Sequence, residues 1–101
     1  MIMKISDNEN SFKVLREIKK NPKKSQRDIA YSTGFSLGKL NYVINELKAK
    51  GLVKIENFKS NKNKIGYMYI LTSKGIKAKT KLTVNFMKKK MNEYEELKKE
   101  I

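Results

Sequence analysis

The sequence predicts a mainly α-helical chain with one small β-hairpin, in the order helix, short helix, helix, hairpin, long helix. Three observations carry this. Apolar residues recur at helical intervals in several separate stretches. Between two of them, "IGYMYILT", rich in aromatic and β-branched residues, follows "LVKIENF" across the polar tip "KSNKNK". The chain has 101 residues, which leaves room for one modest core and not for two.

Ser6 and Glu9 have capping-box spacing, and Phe12, Leu15 and Ile18 follow at helical intervals with Val14 beside them. The first helix is therefore expected from about Asp7 to Lys20. Asn21 and Pro22 stop it, because the residue before a proline is pushed out of the helical region. Ser25 and Asp28 form a second capping box, Ile29 and Ala30 supply a buried side, and Gly34 suits a left-handed C-cap. That helix is short. Ser36 can cap the third helix, which should run over 36–50 and end at Gly51.

In this third helix Leu37, Leu40, Val43, Ile44 and Leu47 fall on one stripe, and Gly38, Lys39, Asn41, Tyr42 and Asn45 occupy the opposite face. The polar face has no acid until Glu46. Leu52, Val53, Ile55 and Phe58 then open a strand, Lys59 to Lys64 form a basic loop, and the second strand leads into "TSKG". A last helix is expected over 76–101, with Ile76, Val84, Met87, Met91, Tyr94, Leu97 and Ile101 as an intermittent apolar stripe. Residues 7–75 would form one unit and 76–101 a separate tail.

The charge balance narrows the partners. There are 24 Lys and Arg against 10 Asp and Glu, for a formal net charge of +14. Such an excess points to a polyanion, either nucleic acid or an anionic membrane surface. The segment from Lys74 to Lys90 lacks the Trp, Phe and Leu density of an interfacial helix, which disfavours the membrane. No apolar run is long enough for a transmembrane span or a signal-peptide core, so a cytoplasmic protein is expected.

Cys and His are both absent, which removes disulfides, thiolate nucleophiles and nearly every zinc site. No catalytic triad can be built, and no cofactor or metal site is expected. The acids are scattered except for Glu93, Glu95, Glu96 and Glu100, which read as helix-surface partners of Lys88 to Lys90, Lys98 or Lys99. An enzyme is not expected.

Ala30, Gly34 and Leu40 have the A-x3-G-x5-L spacing of a helix-turn-helix, with Ile29 and Val43 at flanking core positions. Ala30 is small enough for two helices to approach, Gly34 reverses the chain, and Leu40 anchors the second helix from beneath. With "SQRDIAYSTGFSLGKLNYVINELKAKGLVKIEN", a basic hairpin and "YILTSKG", the chain resembles the winged helix-turn-helix regulators of the MarR type. "INELKAKGLVKI" is similar to the end of that family's recognition helix running into the first wing strand. The resemblance spans roughly residues 10 to 78, and small members associated with exopolysaccharide gene clusters have a similar length and layout.

The resemblance implies a sequence-specific, homodimeric regulator that binds double-stranded DNA. The recognition helix would enter the major groove, putting Ser36, Gly38, Lys39, Asn41, Tyr42 and Asn45 against base edges and flanking phosphates. The same face read blandly is a solvated helix surface. Lys59, Ser60, Asn61, Lys62, Asn63 and Lys64 would form a wing at the minor groove, or else a solvated hairpin tip. Ser25, Gln26 and Arg27 suit a phosphate at a helix N-terminus, and equally a plain cap with a surface cation.

The chain ends on one long helix where larger relatives have two or more, so no small-molecule effector site is carried over. Winged helices also serve as protein- or RNA-interaction modules, a reading that calls for an exposed apolar patch where this sequence has Lys and Asn. Val84, Met87, Met91, Tyr94, Leu97 and Ile101 are expected to form a dimerisation seam. A helix of about 25 residues rises roughly 37 Å, longer than so small a domain can cover.

Overall fold

Six elements follow one another in the computed structural model, which describes residues 5–59 and 65–101: α1 (Ile5–Lys20), α2 (Gln26–Thr33), α3 (Leu37–Ala49), β1 (Val53–Lys59), β2 (Ile65–Leu71) and α4 (Ser73–Lys98). The expected order holds throughout. Helix α1 starts two residues earlier than its capping-box spacing suggested, so Ser6 lies inside the helix instead of before it.

The α1 chain stop at Asn21 and Pro22 is made by local bonds. The Asn21 side chain accepts from Lys23 N at 3.1 Å, and its carbonyl accepts from Lys24 N at 3.2 Å. Pro22 also contributes at long range, because its carbonyl accepts from Tyr69 N at 3.2 Å and so ties β2 to the turn between α1 and α2.

One core draws on every element. Val14, Leu15 and Ile18 from α1 meet Ile29 and Ala30 from α2, and Leu40, Val43, Ile44 and Leu47 from α3. Val53, Tyr69 and Leu71 close it from the hairpin. Each large aliphatic side chain removed from water in this way contributes about 1.5 to 3 kcal/mol. The hairpin is antiparallel, with Val53 opposite Leu71, Ile55 opposite Tyr69 and Asn57 opposite Tyr67. Its core-facing side therefore passes from buried at Val53 to exposed at Tyr67.

The fold corrects the sequence at four further places. Leu37 is 47 % exposed and not part of the buried stripe, because Phe35, two residues earlier, packs against the core at that end. Lys59 belongs to β1 and not to the loop, and its register partner is Ile65. Helix α4 begins at Ser73, three residues before the expected start at 76. It ends at Lys98, so Ile101 lies beyond it.

The early start of α4 has a physical cause. Thr72 caps the helix, its hydroxyl accepting from Gly75 N at 3.0 Å while donating to the Gly51 carbonyl at 2.6 Å. Thr72 N donates to Leu52 O at 3.0 Å. Gly75 is buried against the same stretch, and a Cβ there would run into the Leu52 carbonyl oxygen. Only glycine lets the two backbones come this close.

Further along, α4 leans on α1 through Leu82, which packs against the core, and through Phe86, whose ring stacks on Phe12 at 5.0 Å with planes 8° apart. Lys89 reaches Glu9 at 3.3 Å. Beyond that point every residue of α4 is exposed. The molecule measures 60 × 28 × 23 Å, the long dimension expected of a helix that outruns its domain.

Candidate nucleic-acid interface

The α2 and α3 pair is set by caps that can be traced to single residues. Ser25 takes extended backbone angles, φ −72° and ψ 165°, and its hydroxyl accepts from Asp28 N at 3.1 Å. Ser25 N donates back to the Asp28 carboxylate at 3.3 Å, completing the capping box. The Ser25 hydroxyl is thus engaged in the cap, Gln26 is half-buried, and Arg27 is exposed. At the other end Gly34 adopts φ 76° and ψ 14°, the left-handed conformation that an L side chain would strain. Phe35 N then donates to Ala30 O at 3.0 Å, turning the chain into α3.

Ser36 caps α3 by accepting from Lys39 N at 3.1 Å. With Leu40, Val43, Ile44 and Leu47 buried, geometry forces the other side outward. Ser36, Gly38, Lys39, Asn41, Tyr42 and Asn45 are all exposed, Tyr42 by 64 %. The Asn45 side-chain amide donates to Asn41 Oδ1 at 2.8 Å, one helical turn apart. That bond fixes both amides and leaves the Asn41 NH₂ and the Asn45 carbonyl free of partners among the described residues. A donor pair and an acceptor are thereby presented side by side.

Two contacts escaped the sequence reading. The Lys39 ammonium lies 4.4 Å from the centre of the Phe35 ring, and the Lys13 ammonium from α1 lies 5.7 Å from it. A Phe in the turn four residues before a Lys was the available signal for the first; nothing local signals the second. Tyr31, on α2, is 91 % exposed, and no spacing in the sequence marks it.

Lys24 braces this region. Its ammonium donates to Glu17 Oε2 at 2.8 Å and to the Ser32 hydroxyl at 3.1 Å, joining α1 to α2. The Lys24 hydrogen bond, with added attraction from Lys24, Lys20 and Arg16, holds the Glu17 carboxyl below its ordinary pKa against the opposing effect of burial. Glu17 is therefore held as a carboxylate paired with Lys24 inside the fold.

The basic loop lies largely outside the described residues: Lys59 ends β1, and Ser60, Asn61, Lys62, Asn63 and Lys64 are not among them. On α4 the stripe of Val84, Met87, Met91, Tyr94 and Leu97 is exposed along its whole length, as is Ile101 past the helix end. Lys90 pairs with Glu93 at 3.3 Å and Glu96 with Lys99 at 3.2 Å, both within the chain and well exposed. Among the described residues there is no cluster of potential metal ligands and no helix long and apolar enough to cross a membrane.

A three-helix core whose third helix turns a polar face outward, followed by an antiparallel hairpin, is a winged helix-turn-helix. A family profile described as winged helix-turn-helix DNA-binding matches residues 7–54. Among solved structures the fold is that of the MarR-type regulators. AbsC, a MarR family transcriptional regulator from Streptomyces coelicolor, superposes with a TM-score of 0.71 at 21 % identity, covering 88 % of this chain and 60 % of that one.

A MepR variant from Staphylococcus aureus bound to an oligodeoxyribonucleotide gives 0.62 at 18 % identity, over 85 % of this chain and 62 % of that one. MarR from the same organism, in complex with salicylate and kanamycin, gives 0.66 at 17 % identity, over 85 % and 56 %. The chain thus spans less than two thirds of the length of these relatives in fold. A comparison with curated proteins finds no match.

Proposed function

We propose that this chain is a transcription regulator that binds double-stranded DNA sequence-specifically as a homodimer, with α3 in the major groove and the hairpin tip at the minor groove. The observation that carries the reading is the division of α3. One side is fully spent on the core, and the other presents Lys39, Asn41, Tyr42 and Asn45 to solvent with no acid before Glu46. Asn41 and Asn45 offer the donor and acceptor pattern that suits adenine, Lys39 suits guanine or a phosphate, and Tyr42 can pack on a thymine methyl. Gly38 allows the backbone to come close.

The net charge of +14 supports a polyanionic partner. Arg27, exposed at the start of α2, and Ser36, at the cap of α3, are in reach of a phosphate in this reading, and Lys62 and Lys64 of the wing extend the contact. The polar character of the exposed α3 face gives no support to a protein-docking module. Two copies joined along the α4 stripe would set two recognition helices on one side, so the operator would be an inverted repeat with half-sites about 10 base pairs apart or a multiple of a turn.

The test is selection of bound fragments from random duplex DNA, followed by titration of the enriched site at several salt concentrations. A single inverted-repeat motif is expected, with log affinity falling against log salt at a slope of roughly −5 to −7 per protomer, the value for about five to eight neutralised phosphates. A flat slope, or no enriched motif, would overturn the reading.

A further inference from the structure

We infer that Phe35 is a positioning residue of the DNA interface, whose ring holds the Lys39 ammonium of α3 and the Lys13 ammonium of α1 together at the mouth of the recognition helix to meet a backbone phosphate. This rests on the DNA-binding reading above and adds to it a residue, Lys13, from outside the helix-turn-helix.

The ring is well fixed. Phe35 packs half-buried against the core, and its backbone is held by the bond to Ala30 O at 3.0 Å and by a second from its N to the Thr33 hydroxyl at 3.4 Å. Both lysines are exposed, and neither makes an ion pair among the described residues. An ammonium within about 6 Å of an aromatic centre is attracted by the negative face of the ring; at 4.4 and 5.7 Å both qualify.

Three features make this more than a surface contact. Lysine carries large rotamer entropy, so a free side chain loses affinity when a phosphate immobilises it. A ring that already restrains the stem removes part of that loss. It does so without consuming charge, since a neutral ring leaves the ammonium fully cationic and its N–H groups available, whereas a carboxylate partner would compete with the phosphate. Finally, both ammoniums lie within 5.7 Å of one ring centre, so their attractions add at a phosphate brought near it.

The experiment replaces Phe35 by 4-fluoro- and then 3,4,5-trifluorophenylalanine, which keep the shape and burial of the ring while weakening its negative face. Binding to a mixed-sequence duplex of about 30 base pairs is measured in the parent chain and in Lys39→Ala, with thermal melting as the control for folding. In the parent, affinity should fall stepwise with fluorination by about 2- to 5-fold in total. In Lys39→Ala most of that response should vanish, and in the Lys39→Ala, Lys13→Ala double variant all of it.

Phe35→Tyr, which keeps the ring, should bind like the parent. A parent that binds but shows no response to fluorination overturns the inference while leaving the DNA-binding reading intact. So does a response that persists undiminished in the double variant, which would assign Phe35 a purely structural role. A parent that binds no duplex overturns both.

Discussion

Helices α3 and α4 carry the same kind of apolar stripe, and the fold treats them oppositely. In α3 the stripe of Leu40, Val43, Ile44 and Leu47 is buried among α1, α2 and the hairpin. In α4 the stripe of Val84, Met87, Met91, Tyr94 and Leu97 stands in solvent. Periodicity thus reports that a face needs cover, and only the packing says whether the chain itself supplies it. On α3 the face left in solvent is polar, whereas on α4 it is apolar, and these are the two faces that the proposed function puts to use.

The contrast can be broken by substitution, beginning where the effect is largest. Leu40→Ala, deep in the core, should cost about 2 to 5 kcal/mol of unfolding free energy, read by chemical denaturation. Met91→Glu on the exposed stripe should leave the fold of the protomer intact by circular dichroism. It should weaken self-association by about 2 to 4 kcal/mol, because each charge would appear twice across the proposed two-fold seam, and sedimentation would show monomers. If Met91→Glu instead unfolded the chain while leaving assembly unchanged, the two stripes would not differ in the way described.

Asn41→Ala or Tyr42→Ala should sharpen the other half of the comparison, costing about 1 to 3 kcal/mol on the selected site and less on random duplex, with little change in melting temperature. Lys62→Ala with Lys64→Ala should by contrast weaken binding to all sequences and flatten the salt slope.

The smallest effect concerns pH. Because the folded-state pKa of Glu17 is lowered, its contribution to stability is present above the unfolded pKa of a glutamate and is lost as pH falls through the depressed folded value. Lys24→Met removes the main cause. The variant should lose less stability than the parent between neutral pH and pH ~3, by under about 1 kcal/mol, since such pairs contribute little.

What the sequence made legible was local chemistry. The Ser25 and Asp28 box, the Gly34 reversal, the Ser36 cap and the buried positions of α3 from Leu40 onward each depend on residues within one or two turns, and all stand as read. The exposed face of α3 followed from the buried one. Leu37 departs from the expected stripe because periodicity cannot tell that Phe35 packs at that edge of the core. The start of α4 was misplaced because it depends on a close approach between Gly75 and Leu52, distant in sequence. Lys13 could not be nominated at all, since its neighbour Phe35 lies two elements away.

The junction at Thr72 and Gly75 has one more consequence. Helix α4 leaves the hairpin through a capped start, two bonds from Thr72 to Gly51 and Leu52, and a backbone contact with no room for a side chain, not through a linker. It behaves as a keyed shaft, whose rotational setting is inherited from the end of α3. Removing one residue between Lys77 and Lys81 would turn everything beyond by about 100° and draw it in by about 1.5 Å, at the expense of the Leu82 and Phe86 packing against the core and α1. The Val84 to Leu97 stripe would then leave its present bearing while the polar face of α3 kept its own. The angle between the exposed stripe of α4 and the polar face of α3 is therefore written into the residue count of a single helix.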